Sequence, residues 1–272
     1  MFSRKLLLLY LFLLLLAVWM TGLLIALGPS APPPRDYEDI RREGILRIVT
    51  EYNQTGYYLS GDTTGGFQYE LCRAIARLSG MEVLMYPEMS LEKSFSGLSG
   101  QHYDIIAQNI PVTGELKASF LFTEPVVLNK QILVQRTAAA NNGVQPLRNQ
   151  LYLAGKTLCV PKNSPALLRL RNLQYEIGDS IRIVEEPLYS SEQLIILVAR
   201  GDIEYAVCDQ QIARTAQKQF PEIDILTDIS FMQLQSWAVR KTSPVLLDSL
   251  NHWFHILREN GTYDRIYRTY YR

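Results

Sequence analysis

Cysteine, histidine and net charge are all scarce in this 272-residue chain. The three cysteines, Cys72, Cys159 and Cys208, have no C-x-x-C spacing, which excludes a disulfide framework and a zinc knuckle. Cys159 and Cys208 lie in apolar, strand-like runs, so we expect buried free thiols, with a Cys159–Cys208 disulfide as the alternative. The 27 basic and 27 acidic residues cancel. No global field therefore favours nucleic acid or an anionic membrane surface.

Common motifs of catalysis and cofactor binding are also missing. The sequence has no P-loop, no H-E-x-x-H motif and no Ser/His/Asp order, and its histidines are dispersed or lie near the C terminus at 102, 252 and 255. We therefore predict that the chain is not an enzyme and that it holds no cofactor and no metal.

A long apolar run occupies the N terminus. Arg4 and Lys5 precede an uncharged stretch from Leu6 to about Gly28, which is long enough to cross a bilayer. A cleaved signal peptide normally has a shorter apolar core, and the candidate cleavage sites here run into prolines. We expect residues 1–35 to form an uncleaved single-pass anchor in the inner membrane followed by a Pro-rich spacer, with a cleaved signal peptide as the alternative. Both would place the remaining residues in the periplasm or the extracellular space.

Strand-like and helix-like segments alternate after the spacer. A β-branched run at 45–50 is followed by helical spacing at 67–78 and a second apolar run at 82–86. Alternation of this kind predicts a mostly parallel α/β sheet. After an exposed loop at 137–143 the pattern restarts near Gly155, which predicts a second α/β unit. The chain then ends with an amphipathic helix and a tyrosine-rich tail.

Seven short motifs occur in the same order as in the extracellular solute-binding proteins of family 3. They are GILRI at 44–48, GFQYEL at 66–71, DII at 104–106, TGELK with FTEP between 113 and 125, GK with KNS between 155 and 164, GDIEYAVCD at 201–209 and LRENGTYDRIY at 257–267. From about Gly44 to Tyr271 the chain resembles this family. The resemblance implies an α/β, two-lobed periplasmic-binding-protein type 2 fold with a ligand cleft, preceded by one transmembrane helix. Lobe 1 would comprise 44–127 and 235–272, and lobe 2 would comprise 128–234.

Within that family, residues 205–237 most resemble the non-catalytic lobe pair of the membrane-bound lytic transglycosylases of type F. Those proteins join this module to a murein-cleaving domain. Because the sequence ends at Arg272, directly after the binding module, we expect no glycan cleavage.

The resemblance also assigns ligand contacts. Asp209 stands where the family places a carboxylate that binds the ligand's ammonium group, with a helix cap as the alternative role. Ser164 and the backbone amides after Lys162 would form either an anion-binding helix start or a plain cap. An aromatic wall, or simply surface tyrosines, is expected from the first loop, at Tyr52, Tyr57 and Tyr58. Glu70 and Asn109 are also candidate ligand-binding residues.

The sequence departs from the family at the position of its carboxylate-clamping arginine, which here is Leu116. Two neighbouring backbone-donor positions also differ, because Asn109 replaces a glycine and Pro111 has no N–H to donate. Lys117 could substitute as a point charge, or be a solvated helix residue. A free amino acid held in the customary way is therefore not expected.

We predict a membrane-tethered sensory or regulatory module that closes on a small solute, which is an amino acid, a peptide or a peptidoglycan-derived compound. One alternative is the substrate-binding component of an amino-acid ABC transporter, with a permease as its partner. Another is an adaptor with a vestigial cleft, partnered by a cell-wall enzyme. The third is an enzyme, either transglycosylase-like or with a general acid or base from among Glu51, Glu70 and Asp209.

Overall fold

The structure, a computed structural model, describes residues 4–26, 35–53, 55–178 and 181–271. Two units divide the chain, 1–35 and 36–272. The first contains helix α1, Arg4–Ala26. Among the residues whose side chains are described, no helix is both long enough and apolar enough to cross a membrane. The Pro-rich spacer predicted at 31–34 lies outside the described residues.

The second unit alternates helices with strands. Its helices are α2 (Tyr37–Glu43), α3 (Phe67–Ser79), α4 (Leu91–Ser99), α5 (Gly114–Ser119), a 3-10 turn (Gln150–Leu153), α6 (Ala166–Ile177), α7 (Ser191–Arg200), α8 (Gln210–Gln217), α9 (Pro244–Glu259) and α10 (Thr262–Tyr271). Its strands are β1 (Ile45–Thr50), β2 (Tyr58–Ser60), β3 (Thr63–Gly65), β4 (Glu82–Pro87), β5 (Ile105–Pro111), β6 (Phe120–Phe122), β7 (Val127–Asn129), β8 (Gln131–Arg136), β9 (Thr157–Pro161), β10 (Arg182–Glu186), β11 (Ala206–Asp209), β12 (Ile223–Asp228) and β13 (Gln233–Arg240).

Two large sheets organise this unit. The first has the order β4-β1-β5-β13-β6, with β7 paired to β13, and the second has the order β10-β9-β11-β8-β12. Within the first sheet β1 runs parallel to β4 and β5, and within the second β9 runs parallel to β10 and β11. The α/β alternation predicted from the sequence is therefore confirmed in both halves.

Each sheet is covered by helices on both faces, as parallel strands require. In the first sheet one face packs against α3, α9 and α10 around Trp237, and the other packs against α4 around Leu98. In the second sheet α7 and α8 cover one face and α6 covers the other. The structure records Cys72, Cys159 and Cys208 as buried free thiols, so the alternative of a Cys159–Cys208 disulfide is wrong. The Cys159 and Cys208 side chains pack as small apolar groups in the core under α7.

The chain crosses between the sheets at β7–β8 and at β12–β13. The apolar segment at 126–135 therefore contains two strands that belong to different sheets, with Lys130 between them. The lobe boundaries at 127/128 and 234/235 stay a prediction. Strand pairing itself places residues 128–129 and 233–234 in the first sheet, because β7 pairs with the start of β13.

A buried ion pair fixes the centre of the first sheet. Asp104 accepts a hydrogen bond from Arg240 Nη2 at 3.1 Å and another from the backbone N–H of Arg47 at 3.0 Å. The Asp104 and Arg240 side chains are 0% and 6% exposed. Removal of either side chain would leave the charge of the other buried without a partner. Loss of Asp104 or of Arg240 alone is therefore expected to destabilise the fold.

We expect Asp104→Ala to lower the free energy of unfolding by about 3–5 kcal/mol, measured by urea denaturation. The control is Asp39→Ala, which removes the partner of Arg42 from an exposed pair and should cost at most about 1 kcal/mol. Equal losses in the two variants would show that burial of the pair is unimportant.

Candidate ligand-binding site

The carboxyl ends of β1, β5, β9 and β11 surround one cleft between the two sheets. It encloses about 860 Å³ of empty space, its open mouth included. Ligands bind at this edge of open α/β sheets because the strands end there and the chain turns outward. Polar side chains from both sides line the cleft, namely Thr50, Glu51, Asn53, Thr55, Gln68, Gln108, Asn109, Gln131, Lys162, Asn163, Ser164, Ser191 and Asp209.

Asp209 ends β11 and both lines the cleft and caps α8. Its Oδ1 accepts from the backbone N–H of Gln211 at 2.9 Å and from Asn129 Nδ2 at 2.5 Å, and its Oδ2 accepts from Gln235 Nε2 at 3.5 Å. Burial raises the pKa of this carboxyl to about 6, against the lowering effect of its hydrogen bonds. The two roles foreseen from the sequence, cap and cleft residue, are thus compatible, while ligand contact stays a prediction.

Glu51 follows β1 and lies in the same cleft. Burial, and secondarily the charge of Asp209, raises the pKa of Glu51 to about 7, whereas a hydrogen bond with Asn53 opposes this. The sequence indicated Glu51 only as an alternative general acid or base and did not indicate it as a binding residue. Its place directly after a buried strand of the first sheet was the available indication.

The loop after β9 supplies the basic side of the cleft. Lys162 is the single Lys or Arg among the described residues that line it. Ser164 Oγ accepts from the backbone N–H of Ala166 at 3.2 Å, which closes a local turn directly before α6. Asn163 spans the mouth of the cleft, because its Nδ2 donates to Glu92 Oε2 of α4 at 2.6 Å.

The family model for bacterial extracellular solute-binding proteins, family 3, matches residues 46–272. The chain belongs to this family. A family 3 protein with two sheets and an intervening cleft has the predicted two-lobed periplasmic-binding-protein fold, and solved structures agree. An ancestral arginine-binding protein superimposes with a TM-score of 0.74 at 22% identity, covering 84% of this chain and 99% of that one. The ancestral amino-acid-binding protein AncCDT-1 also gives 0.74, at 20% identity, covering 86% and 99%.

Curated relatives carry the name membrane-bound lytic murein transglycosylase F. The protein from Desulfosudis oleivorans is 32% identical over 232 residues, which are 85% of this chain and 50% of the relative. That from Pseudomonas fluorescens is 27% identical over 266 residues, 94% and 52% of the two chains. The predicted resemblance to this group is confirmed, and the chain spans about half the length of these relatives.

Leu116 occupies the position predicted for the carboxylate-clamping arginine, and the structure shows where its side chain lies. Leu116 is partly buried against the core around Leu98, and Pro111 sits in β5 opposite Gln235 of β13. Lys117, the substitute cation considered from the sequence, is exposed on α5 and does not line the cleft. One helical residue is about 100° of rotation, so the packing of Leu116 turns Lys117 away.

Asn109 lines the cleft and belongs to a buried hydrogen-bonded chain. Its Oδ1 accepts from Gln68 Nε2 at 2.8 Å, and Gln68 Oε1 accepts from Trp237 Nε1 at 2.7 Å. On the other side, Asn109 Nδ2 donates to the Tyr271 hydroxyl at 2.8 Å. The sequence did not indicate Gln68 as a cleft residue, because its two side-chain partners, Asn109 and Trp237, lie on β5 and β13, far from it in sequence.

Four other predicted contacts lie outside the lining of this cleft. Glu70 accepts from the Tyr270 hydroxyl at 2.7 Å, so α3 directs it toward α10. Tyr57 packs edge-on between Tyr52 and Tyr69. Tyr52 and Tyr58 border a neighbouring groove. The loop that carries these tyrosines turns at Asn53, whose Oδ1 accepts from the backbone N–H of Thr55 at 3.0 Å.

We expect the melting temperature to fall as pH rises from about 4.5 to about 7. Native Glu51 keeps its proton until about pH 7, whereas the ordinary value is 4.5. The native state therefore binds more protons than the unfolded state in this window, and unfolding becomes more favourable with rising pH. Glu51→Gln should flatten the curve in circular-dichroism melts, and the exposed control Glu115→Gln should not. An unchanged slope in Glu51→Gln would contradict the assignment.

Proposed function

We propose that this chain is a membrane-tethered, extracytoplasmic module that closes its two lobes on a small amine-bearing solute and releases it unchanged. The supporting observation is the charge of the cleft. Glu51 from the first lobe and Asp209 from the second face one solute-sized space, in which Lys162 is the single base among the described lining residues.

A cationic ligand would offset the electrostatic repulsion between the Glu51 and Asp209 carboxylates. The charge of Asp209 makes ionisation of Glu51 more costly and contributes to the raised pKa of Glu51. An ammonium or guanidinium group between them would favour both ionised forms and supply charge-assisted hydrogen bonds. Because the two carboxylates come from opposite lobes, such a ligand gains its full set of contacts only when the lobes are together, which couples binding to closure.

The solute class follows from these charges and from the relatives. Similar structures are ancestral arginine-binding proteins that hold arginine or glutamine, which supports an amino-acid-like ligand. Leu116 removes the arginine that would clamp a free α-carboxylate, so we place peptides and peptidoglycan-derived amines beside cationic amino acids as candidate ligands. The murein transglycosylase relatives support the peptidoglycan connection.

The tether and the regulatory role rest on the N-terminal segment and on the relatives. The uncharged run after Lys5 and the description of the relatives as membrane-bound support an anchor in the inner membrane. An anchored receptor reports on a solute close to its own membrane, which suits a sensor or regulatory module. The second candidate is a receptor for an amino-acid ABC permease, supported by a similar structure from such a transporter, with a TM-score of 0.72.

Thermal-shift measurements test the proposal. L-Arginine and L-lysine should raise the melting temperature by mass action, equivalent to about 2.7 kcal/mol at one hundred times the dissociation constant, and L-glutamate should not. Asp209→Asn, which keeps a capping side chain, and Glu51→Gln should each abolish the shift. The exposed Asp202→Asn serves as the matched control. A shift with L-glutamate alone, or the same arginine shift in Asp209→Asn, would refute an amine-binding cleft.

A further inference from the structure

A second groove lies beside the ligand cleft and is built from both lobes. One wall is the loop and hairpin after β1, with Tyr52, Tyr58 and Leu59, and the other consists of Glu192 on α7 and Thr215 on α8. It encloses about 940 Å³ of empty space, open solvent included. Asn53 lines both the groove and the cleft, and Ser191 of the cleft precedes Glu192 of the groove. The two spaces are therefore neighbours that share a wall.

The groove combines an apolar surface with hydrogen-bonding groups. Tyr52 and Leu59 are 40% and 53% exposed, which leaves ring and aliphatic surface uncovered. Tyr52 packs edge-on against Tyr57 with centroids 6.2 Å apart, and Tyr57 does the same against Tyr69 at 5.9 Å. This aromatic row holds the wall in place. Glu192 and Asn53 add polar atoms, so the surface suits an amide backbone with an apolar side chain.

One feature of the cleft favours a ligand that continues beyond its first residue. Leu116 stands at the position where an arginine would bind a free α-carboxylate, and a peptide carries an uncharged amide at that point.

We propose that the groove is a second subsite, which holds the continuation of a short peptide whose free amino terminus lies between Glu51 and Asp209. This inference rests on the proposed function and narrows its ligand class to peptides of two or more residues with an unblocked amino terminus. The first residue occupies the cleft, the chain passes Asn53, and the next side chain packs against Tyr52 and Leu59.

Isothermal titration calorimetry on the full chain in detergent micelles tests this, with L-arginine and L-arginyl-L-leucine as probes. The dipeptide should bind about tenfold more tightly, as the burial of one leucine side chain allows. Thr215→Trp, which fills the groove from α8, should remove the preference for the dipeptide while leaving arginine affinity within about twofold of wild type. Arg214→Trp, the neighbouring exposed position on the same helix, is the matched control. Tyr52→Ala provides a second variant that lowers dipeptide affinity without filling space.

The outcomes separate the subsite from the cleft. Equal affinities for the two probes in the wild type, or an intact dipeptide preference in both Thr215→Trp and Tyr52→Ala, would overturn the subsite and leave the amine-binding cleft standing. Loss of both probes in Asp209→Asn supports the cleft. No binding of either probe to the wild type would overturn the proposed function and the subsite together.

Discussion

The carboxylate of Asp209 is hydrogen-bonded from both sheets at once. Gln211 donates from its own lobe through the backbone, and Asn129 and Gln235 donate from the two strands at which the chain crosses between the sheets. A buried carboxylate is tolerated only when such donors surround it. The hydrogen bonds that stabilise Asp209 therefore also connect the two sheets beside the cleft.

The C-terminal helix α10 also lies at the boundary between the two lobes. The Gln211 side chain of α8 donates to the Tyr270 carbonyl, while the Tyr271 hydroxyl accepts from Asn109 of the cleft. Tyr270 in turn donates to Glu70 and accepts from the backbone N–H of Gly66. Gly66 has a φ of +124°, and a Cβ there would overlap the Gly56 carbonyl. One hydrogen-bonded path thus joins both lobes, the cleft and the last helix.

The charge pattern of the cleft differs from that of a receptor built around an arginine clamp. The Leu116 side chain packs against the core around Leu98. Lys162, on an exposed loop, is the single Lys or Arg among the described residues that line the cleft. Two carboxylates with raised pKa values occupy the opposite walls. A bound cation would favour the ionised form of both acids.

The sequence by itself determined the α/β alternation, the family and the end of β11 as the place for Asp209, because strand and helix periodicities and short motifs are local properties of the chain. It could not determine which polar residues meet. Glu51 and Gln68 reach the cleft through turns and helix orientations fixed by packing, and the same packing turns Glu70 and Lys117 away. The charge balance of the cleft was decided only by tertiary structure, since electrostatic coupling depends on distances between side chains far apart in sequence.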